Sequence, residues 1–188
     1  MAEERPDPRE RRVALLRGIN VGRAKRIAMA DLRALVEELG GGEVRTLLNS
    51  GNVVFTSVRA RAPAEDARRI EAAVEGSLGV RSRVTVLTAA GLAAVVAEHP
   101  LRGVADDPSR LLVAVPAGPD ALRKLTPLAA RDWGPERLVV GTHAGWLWCP
   151  DGISAGRLAE AVDRALGDAV TARNWSTLTK LHALATPA

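Results

Sequence analysis

Three polar segments of the chain carry residue types that bind anions. In RGINVGRAKR at 17–26, Arg17, Arg23 and Lys25 supply charged donors, and arginine's planar fork matches a carboxylate or a phosphate. Gly18 and Gly22, with Gly51 of the NSGN segment at 49–52, could leave backbone N–H groups open toward the same charge. Asn20, Asn49, Ser50 and Asn52 would orient the bound group. Near the C-terminus, TARNWSTLTKL sets Arg173 before Asn174, a residue type that caps helices, and a helix N-terminus beside an arginine also suits an anion. Each segment has a plainer reading as well. Turns require glycine and asparagine in any case, surface arginines are ordinarily solvated, and Asn174 could simply cap a helix with Trp175 packed inward.

Covalent and metal chemistry find less support. His99 precedes a proline, His143 falls in a hairpin and His182 in the last helix. Their spacing fits no metal site, and the single cysteine cannot complete one. Cys149 ends the apolar run GWLWC and reads as a small buried hydrophobe rather than a nucleophile. Asp106 and Asp107, before Pro108, read as a solvated turn. There is no GxSxG elbow and no Walker loop, and RGINVG is too short for a dinucleotide fingerprint. No catalytic residue, metal or cofactor is expected. Whether the protein is an enzyme stays open, leaning toward no.

The elements that must position these segments follow from periodicity. RVALLR at 12–17 reads as a strand running into the first polar loop. Leu32, Leu35, Val36 and Leu39 recur at helical spacing and stop at the triplet Gly40–Gly42. The segment 44–57 places two apolar runs around NSGN, a hairpin. Pro63 opens a second helix with Ala67, Ile70, Ala73, Val74 and Leu78 on one face, and 81–87 is a strand. A helix over 88–98, capped by Thr88, leads to a linker at 99–109. The order then repeats: strand 110–115, a helix over 119–130 interrupted by Pro127, the hairpin ERLVV/GWLWC, a helix over 155–166 capped by Ser154, and strand 168–173. A last helix covers about 175–185. The expected fold is α+β: two tandem ferredoxin-like βαββαβ units with a connecting helix and a C-terminal helix. Residues 1–11 form a flexible tail, 12–98 the first unit with the connecting helix, 99–109 the linker, and 110–188 the second unit with the terminal helix. In such a unit the loop after the first strand and the hairpin between the second and third share one end, so 17–26 meets 49–52.

Charge distribution reinforces that meeting. Arg11, Arg12, Arg17, Arg23, Lys25 and Arg26 fall in 11–30, and Arg45, Arg59 and Arg61 in 44–64, with no acid in either stretch. Setting these nine aside leaves 17 of the 26 bases against 22 acids, so the remainder is net −5 while the whole chain is +4. The acid-free windows are expected to converge at the loop end. With 47% hydrophobic residues among 188, the chain can bury a sizeable core. No apolar run approaches the ~18 residues of a membrane helix. MAEERPDPRE has no hydrophobic signal core, and a lone cysteine suits a reducing cytoplasm. An RNA-binding sheet would display stacking aromatics. The first strand has none, the third only Phe55, and Trp146 and Trp148 lie in the other half.

VALLRGINVG with Met29 and Leu32, RTLLNSGNVVFTS, and TARNWSTLTKL together resemble the bacterial family called domain of unknown function 1697, over about residues 12–185. The resemblance implies a compact α/β protein of the bacterial cytoplasm and does not name a reaction. The chain departs from the family pattern in having Arg23-Ala24-Lys25 where Gly-Lys-Asn is expected, and Ala28 where proline is common. The expected function is binding of a small phosphate- or carboxylate-bearing ligand at 17–26 and 49–52, assisted by Arg173 and Asn174. Contact with a nucleic-acid phosphate backbone is the alternative, and a protein-interaction module with no ligand a further one. No membrane partner is expected, and the oligomeric state is left open.

Overall fold

Strand β1 (Arg11–Leu16) is the apolar run expected at RVALLR, and Val13, Ala14, Leu15 and Leu16 are fully buried. A strand buried on both faces belongs inside a sheet, where each edge also finds hydrogen-bond partners. It pairs antiparallel with β3 (Asn52–Ser57) on one side and β4 (Val84–Thr88) on the other, and β2 (Gly41–Leu47) completes the order β2-β3-β1-β4. This computed structural model describes residues 9–21, 25–118 and 120–186; Gly22, Arg23 and Pro119 therefore lie outside the described residues. The chain divides into two compact units, one ending at Leu92 and resuming at Leu181, the other running from Ala93 to Lys180.

In the first unit, α1 (Met29–Glu38) and α2 (Pro63–Leu78) cover one face of the sheet. Leu32, Leu35, Val36, Ile70 and Val74 pack on Ala14, Leu16, Val53, Phe55, Val84 and Val86, the residues that strand alternation turns toward that face. Helix α3 (Ala89–Glu98) starts as the sequence predicts, with the Gly91 N–H donating to Thr88 Oγ1 at 2.9 Å.

The second unit holds β5 (Leu111–Pro116), β6 (Arg137–Val140), β7 (Gly145–Trp148) and β8 (Val170–Asn174) in the antiparallel order β6-β7-β5-β8. Its helices α4 (Asp120–Arg123), α5 (Thr126–Ala129) and α6 (Leu158–Leu166) bring Leu122, Leu125, Leu128, Leu158 and Val162 onto Ala114, Leu138, Leu147 and Cys149. Helix α7 (Trp175–Ala185) ends the chain. The fold is thus mixed α+β, with two four-stranded antiparallel sheets and seven helices among the described residues.

Two local expectations are corrected. The helix expected over 119–130 is two one-turn pieces, because Pro127 lacks an N–H and is accommodated in the first turn of α5 rather than inside a longer helix. Ser154 does not cap α6, which begins at Leu158. Glu136 does so from outside the helix: its Oε2 accepts the N–H groups of Arg157 at 3.0 Å and Leu158 at 3.2 Å. A full negative charge at a helix N-terminus is stabilised by the dipole as well as by the donors, and Gly156 leaves the room the carboxylate fills. Trp146 and Trp148 are buried in β7, and Phe55 in β3, so none of the three offers a stacking surface.

Candidate functional site

The expected meeting of loop and hairpin occurs. Antiparallel pairing sets Leu15 opposite Asn52, and the Leu16 N–H donates to the Gly51 carbonyl at 2.8 Å. The Arg17 N–H donates to the Arg83 carbonyl, and Ser82 Oγ to the Arg17 carbonyl, each at 2.8 Å. These bonds fix where the loop leaves the sheet. Gly51 lies at φ 76, and a Cβ there would stand 2.7 Å from Ile19 Cδ1 and 2.8 Å from Leu16 Cβ, so only glycine lets the hairpin close on the loop.

Asn20 holds the loop. At φ 56 it occupies the left-handed region that asparagine tolerates, and its N–H donates to the Lys25 carbonyl at 2.9 Å. Its side-chain Nδ2 donates to the carbonyls of Ile27 at 2.9 Å and Asn49 at 2.7 Å, while its Oδ1 accepts the Ile27 N–H at 2.8 Å. Both amide hydrogens are therefore spent within the chain, which makes Asn20 a brace between loop and hairpin. Asn52, fully buried, plays a similar part: Nδ2 donates to the Leu47 carbonyl and to Ser50 Oγ, both at 2.9 Å. Asn49 and Ser50 are exposed on the hairpin, as are Gly18 and Lys25 on the loop, and Arg17 is half-buried.

Between loop and hairpin lies a cleft of about 420 Å³ lined by Asn20, Arg26, Ile27, Ala28, Met29 and Asn49. Ala28 occupies the N-cap position of α1 and supplies no side-chain cap, and Asp31 lies in the first turn. Arg26 and Lys25 are exposed, and among the described residues neither has an ion pair. Arg26 falls within the expected 17–26 loop, counted there for its charge though not among the ligand-binding residues, whereas the 27–29 segment lies outside that expectation.

The expected convergence of both acid-free windows is not what the fold does. Arg11 and Arg12 begin β1, and Arg59 and Arg61 follow the end of β3, which places all four at the opposite end of the sheet from Lys25. Three of them are neutralised there. Arg11 meets Glu43 at 2.6 Å, and Arg61 meets Asp66 at 3.5 Å. Arg12 is fully buried, with Nη1 donating to Asp66 at 2.5 Å and Nη2 to the Arg61 carbonyl at 2.5 Å. Glu43 on β2 and Asp66 on α2, distant in sequence from Arg11 and Arg12, supply their partners, while Glu10 and Glu65 at the edges of the windows add pairs to Arg12 and Arg61.

In the second unit, Arg173 and Asn174 close β8. Arg173 Nη1 donates to the Ala172 carbonyl at 2.8 Å, and burial lowers its pKa to about 10, which leaves it charged at neutral pH. Asn174 Nδ2 donates to the Ser109 carbonyl at 2.8 Å, tying the start of α7 to the approach to β5. His99 is buried, its ring stacked 5.1 Å from Trp146 and tilted at 4.5 Å to Trp175. Burial, and then the charge of Arg102, hold its pKa below the ordinary value. Beside it, Glu98 accepts the N–H groups of Thr142 and His143 and the Trp146 indole N–H. Cys149 is buried, and burial followed by the nearby Glu136 pushes its thiol up to about 12. Among the described residues no group of three His, Cys, Asp or Glu could hold a metal ion, and no helix is long and apolar enough to cross a membrane.

The family described as "Protein of unknown function (DUF1697)" matches residues 10–146. The chain belongs to this family. The match takes in both segments that form the DUF1697 loop and hairpin, VALLRGINVG and RTLLNSGNVVFTS, whereas TARNWSTLTKL lies beyond it. A similar solved structure is that of conserved bacterial protein SP0830 from Streptococcus pneumoniae, with a TM-score of 0.76 at 22% identity, covering 94% of this chain and 99% of that one. At that identity the likeness is one of fold. No match was found among curated proteins. Within this DUF1697 member, Ala28 is the N-cap of α1, and Arg26, with Lys25 before it in sequence, lines the cleft.

Proposed function

We propose that this DUF1697 protein binds a small phosphate- or carboxylate-bearing ligand in the cleft between the 17–26 loop and the 48–51 hairpin, acting in the bacterial cytoplasm. The supporting observation is a cleft of about 420 Å³ bordered by Arg26, with Lys25 beside it and no carboxylate among the lining residues. A cation without an acidic neighbour in a concave, partly apolar setting is attracted to anions more strongly than one on a flat surface. Asn20 acts as a positioning residue, and Asn49 and Ser50 are the exposed polar groups that would orient the ligand. The architecture that carries this cleft is proposed to be two tandem ferredoxin-like units. The strand order β2-β3-β1-β4, repeated as β6-β7-β5-β8 with helical segments after the first and third strands of each, supports that reading.

The test is isothermal titration of the full chain with inorganic phosphate, pyrophosphate, acetate and a short oligonucleotide at low and high salt. Stoichiometric binding of a small anion, lost in Arg26→Ala, is expected. Binding of the oligonucleotide alone, abolished by salt, would replace the cleft with phosphate-backbone contact. Silence toward all probes would end the anion reading.

A further inference from the structure

Resting on the anion reading above, we infer that the ligand taken by this cleft is amphipathic, a phosphate or carboxylate carrying a hydrocarbon arm. Half of the lining is apolar: Ile27, Ala28 and Met29 stand with Asn20, Asn49 and Arg26. Met29 also packs on the core cluster, so the apolar lining is anchored from below. Next in sequence to the two residues that join loop and hairpin come Val21 and Leu48, which are 72% and 55% exposed.

Surface hydrophobes scattered singly need no explanation. These two are not scattered: each is the chain neighbour of Asn20 or Asn49, which line a cleft that is apolar on one part of its wall. Leu48 is further held at φ 58, a conformation that asparagine or glycine adopts at lower steric cost. A hydrated inorganic anion would gain nothing from leucine and valine there. An anion with an alkyl arm would place its charge by Lys25 and Arg26 and cover apolar surface with the rest.

The experiment titrates the full chain with inorganic phosphate and with methyl, butyl and octyl phosphate, and in parallel with acetate, pentanoate and nonanoate. Affinity is expected to climb about two- to fourfold per methylene until the arm leaves the cleft. In the double variant Leu48→Asn, Val21→Asn the climb should flatten while affinity for inorganic phosphate or acetate is unchanged. Asparagine suits the backbone at 48, and an unchanged melting transition shows that the variant is folded. Whichever headgroup series shows the climb identifies the headgroup. If the simple anions bind but affinity ignores arm length, or if the climb survives in the double variant, the amphipathic ligand is overturned and the anion site stands. If no anion of either series binds, the proposed function itself fails and takes this inference with it.

Discussion

The side-chain amide of Asn20 donates to the backbone carbonyl of Asn49 across a 2.7 Å hydrogen bond, joining the loop after β1 to the hairpin between β2 and β3. The same amide also closes two bonds with the backbone of Ile27. One residue thereby ties together both the loop side and the hairpin side of the cleft. Replacing Asn20 by alanine removes three hydrogen bonds at about 1 kcal/mol each and leaves a residue less suited to φ 56, so urea unfolding should show a loss of roughly 2–4 kcal/mol. Asn20→Gly should recover only the backbone part. A midpoint equal to wild type in Asn20→Ala would show that the amide braces nothing.

Arg12 is fully buried against Asp66, and removing it takes away the nearer of that carboxylate's two arginines. Arg12→Ala is expected to cost about 3 kcal/mol, since Asp66 is left inside with only Arg61, at 3.5 Å, to offset its charge. Substituting both residues with apolar side chains of similar volume should restore much of that loss. The double-mutant cycle measures it. A single variant as stable as wild type would contradict the buried pair.

Gly51 and Leu48 share the hairpin and should respond with opposite signs. Gly51→Ala drives a Cβ into Ile19 and Leu16 and forces alanine to a positive φ, for a loss of about 2–4 kcal/mol. Leu48→Gly relieves the strain at φ 58 and should be neutral or stabilising by up to about 1 kcal/mol. Thermal melts of the two variants decide the matter, and a shared sign would be the wrong result.

The second unit should lose stability in two stages as pH falls. Burial, and then Arg102, depress the pKa of His99 below its ordinary 6.5, so the unfolded chain takes up a proton first and stability declines as pH drops below that value. At Glu98 burial pushes the pKa upward, but the donors at Thr142, His143 and Trp146 outweigh it and hold the carboxyl below its ordinary 4.5. Its contribution is present above 4.5 and is lost as pH falls through the folded value. Denaturant midpoints against pH should therefore lose the upper stage in His99→Phe and the lower stage in Glu98→Gln, each leaving the other in place.

Cys149 should resist thiol reagents in the native protein. With its thiol pushed up to about 12, only about one molecule in ten thousand carries a thiolate at pH 8, and the side chain is buried besides. Ellman's reagent should react slowly until urea unfolds the chain. Rapid reaction under native conditions would refute this.

Much of the architecture was legible in the residues themselves. Strand β1 could be read because Val13–Leu16 form an unbroken apolar run, and α1 because Leu32, Leu35 and Val36 recur at its period. Helix α6 was read with the wrong cap, since Glu136 reaches its N-terminus from far along the chain and no local pattern announces it. The same limit governed the charges. Arg11 and Arg12 stood in a stretch without acids, yet Glu43, on β2, and Asp66, on α2, meet them at the far end of the sheet.

Local pattern in the residues therefore settles the periodic part: which segments are strands and helices, their order, and that the loop after β1 meets the hairpin before β3. Tertiary structure alone decided which polar residues remain available. Asn20 and Asn52 are used up as braces, Arg12 is paired inside, and Arg26 and Asn49 stay exposed in the lining of the cleft, with Lys25 next in sequence. The physical reason is range. Periodicity and turn preference act between near neighbours, whereas burial and ion pairing depend on partners that only packing brings together.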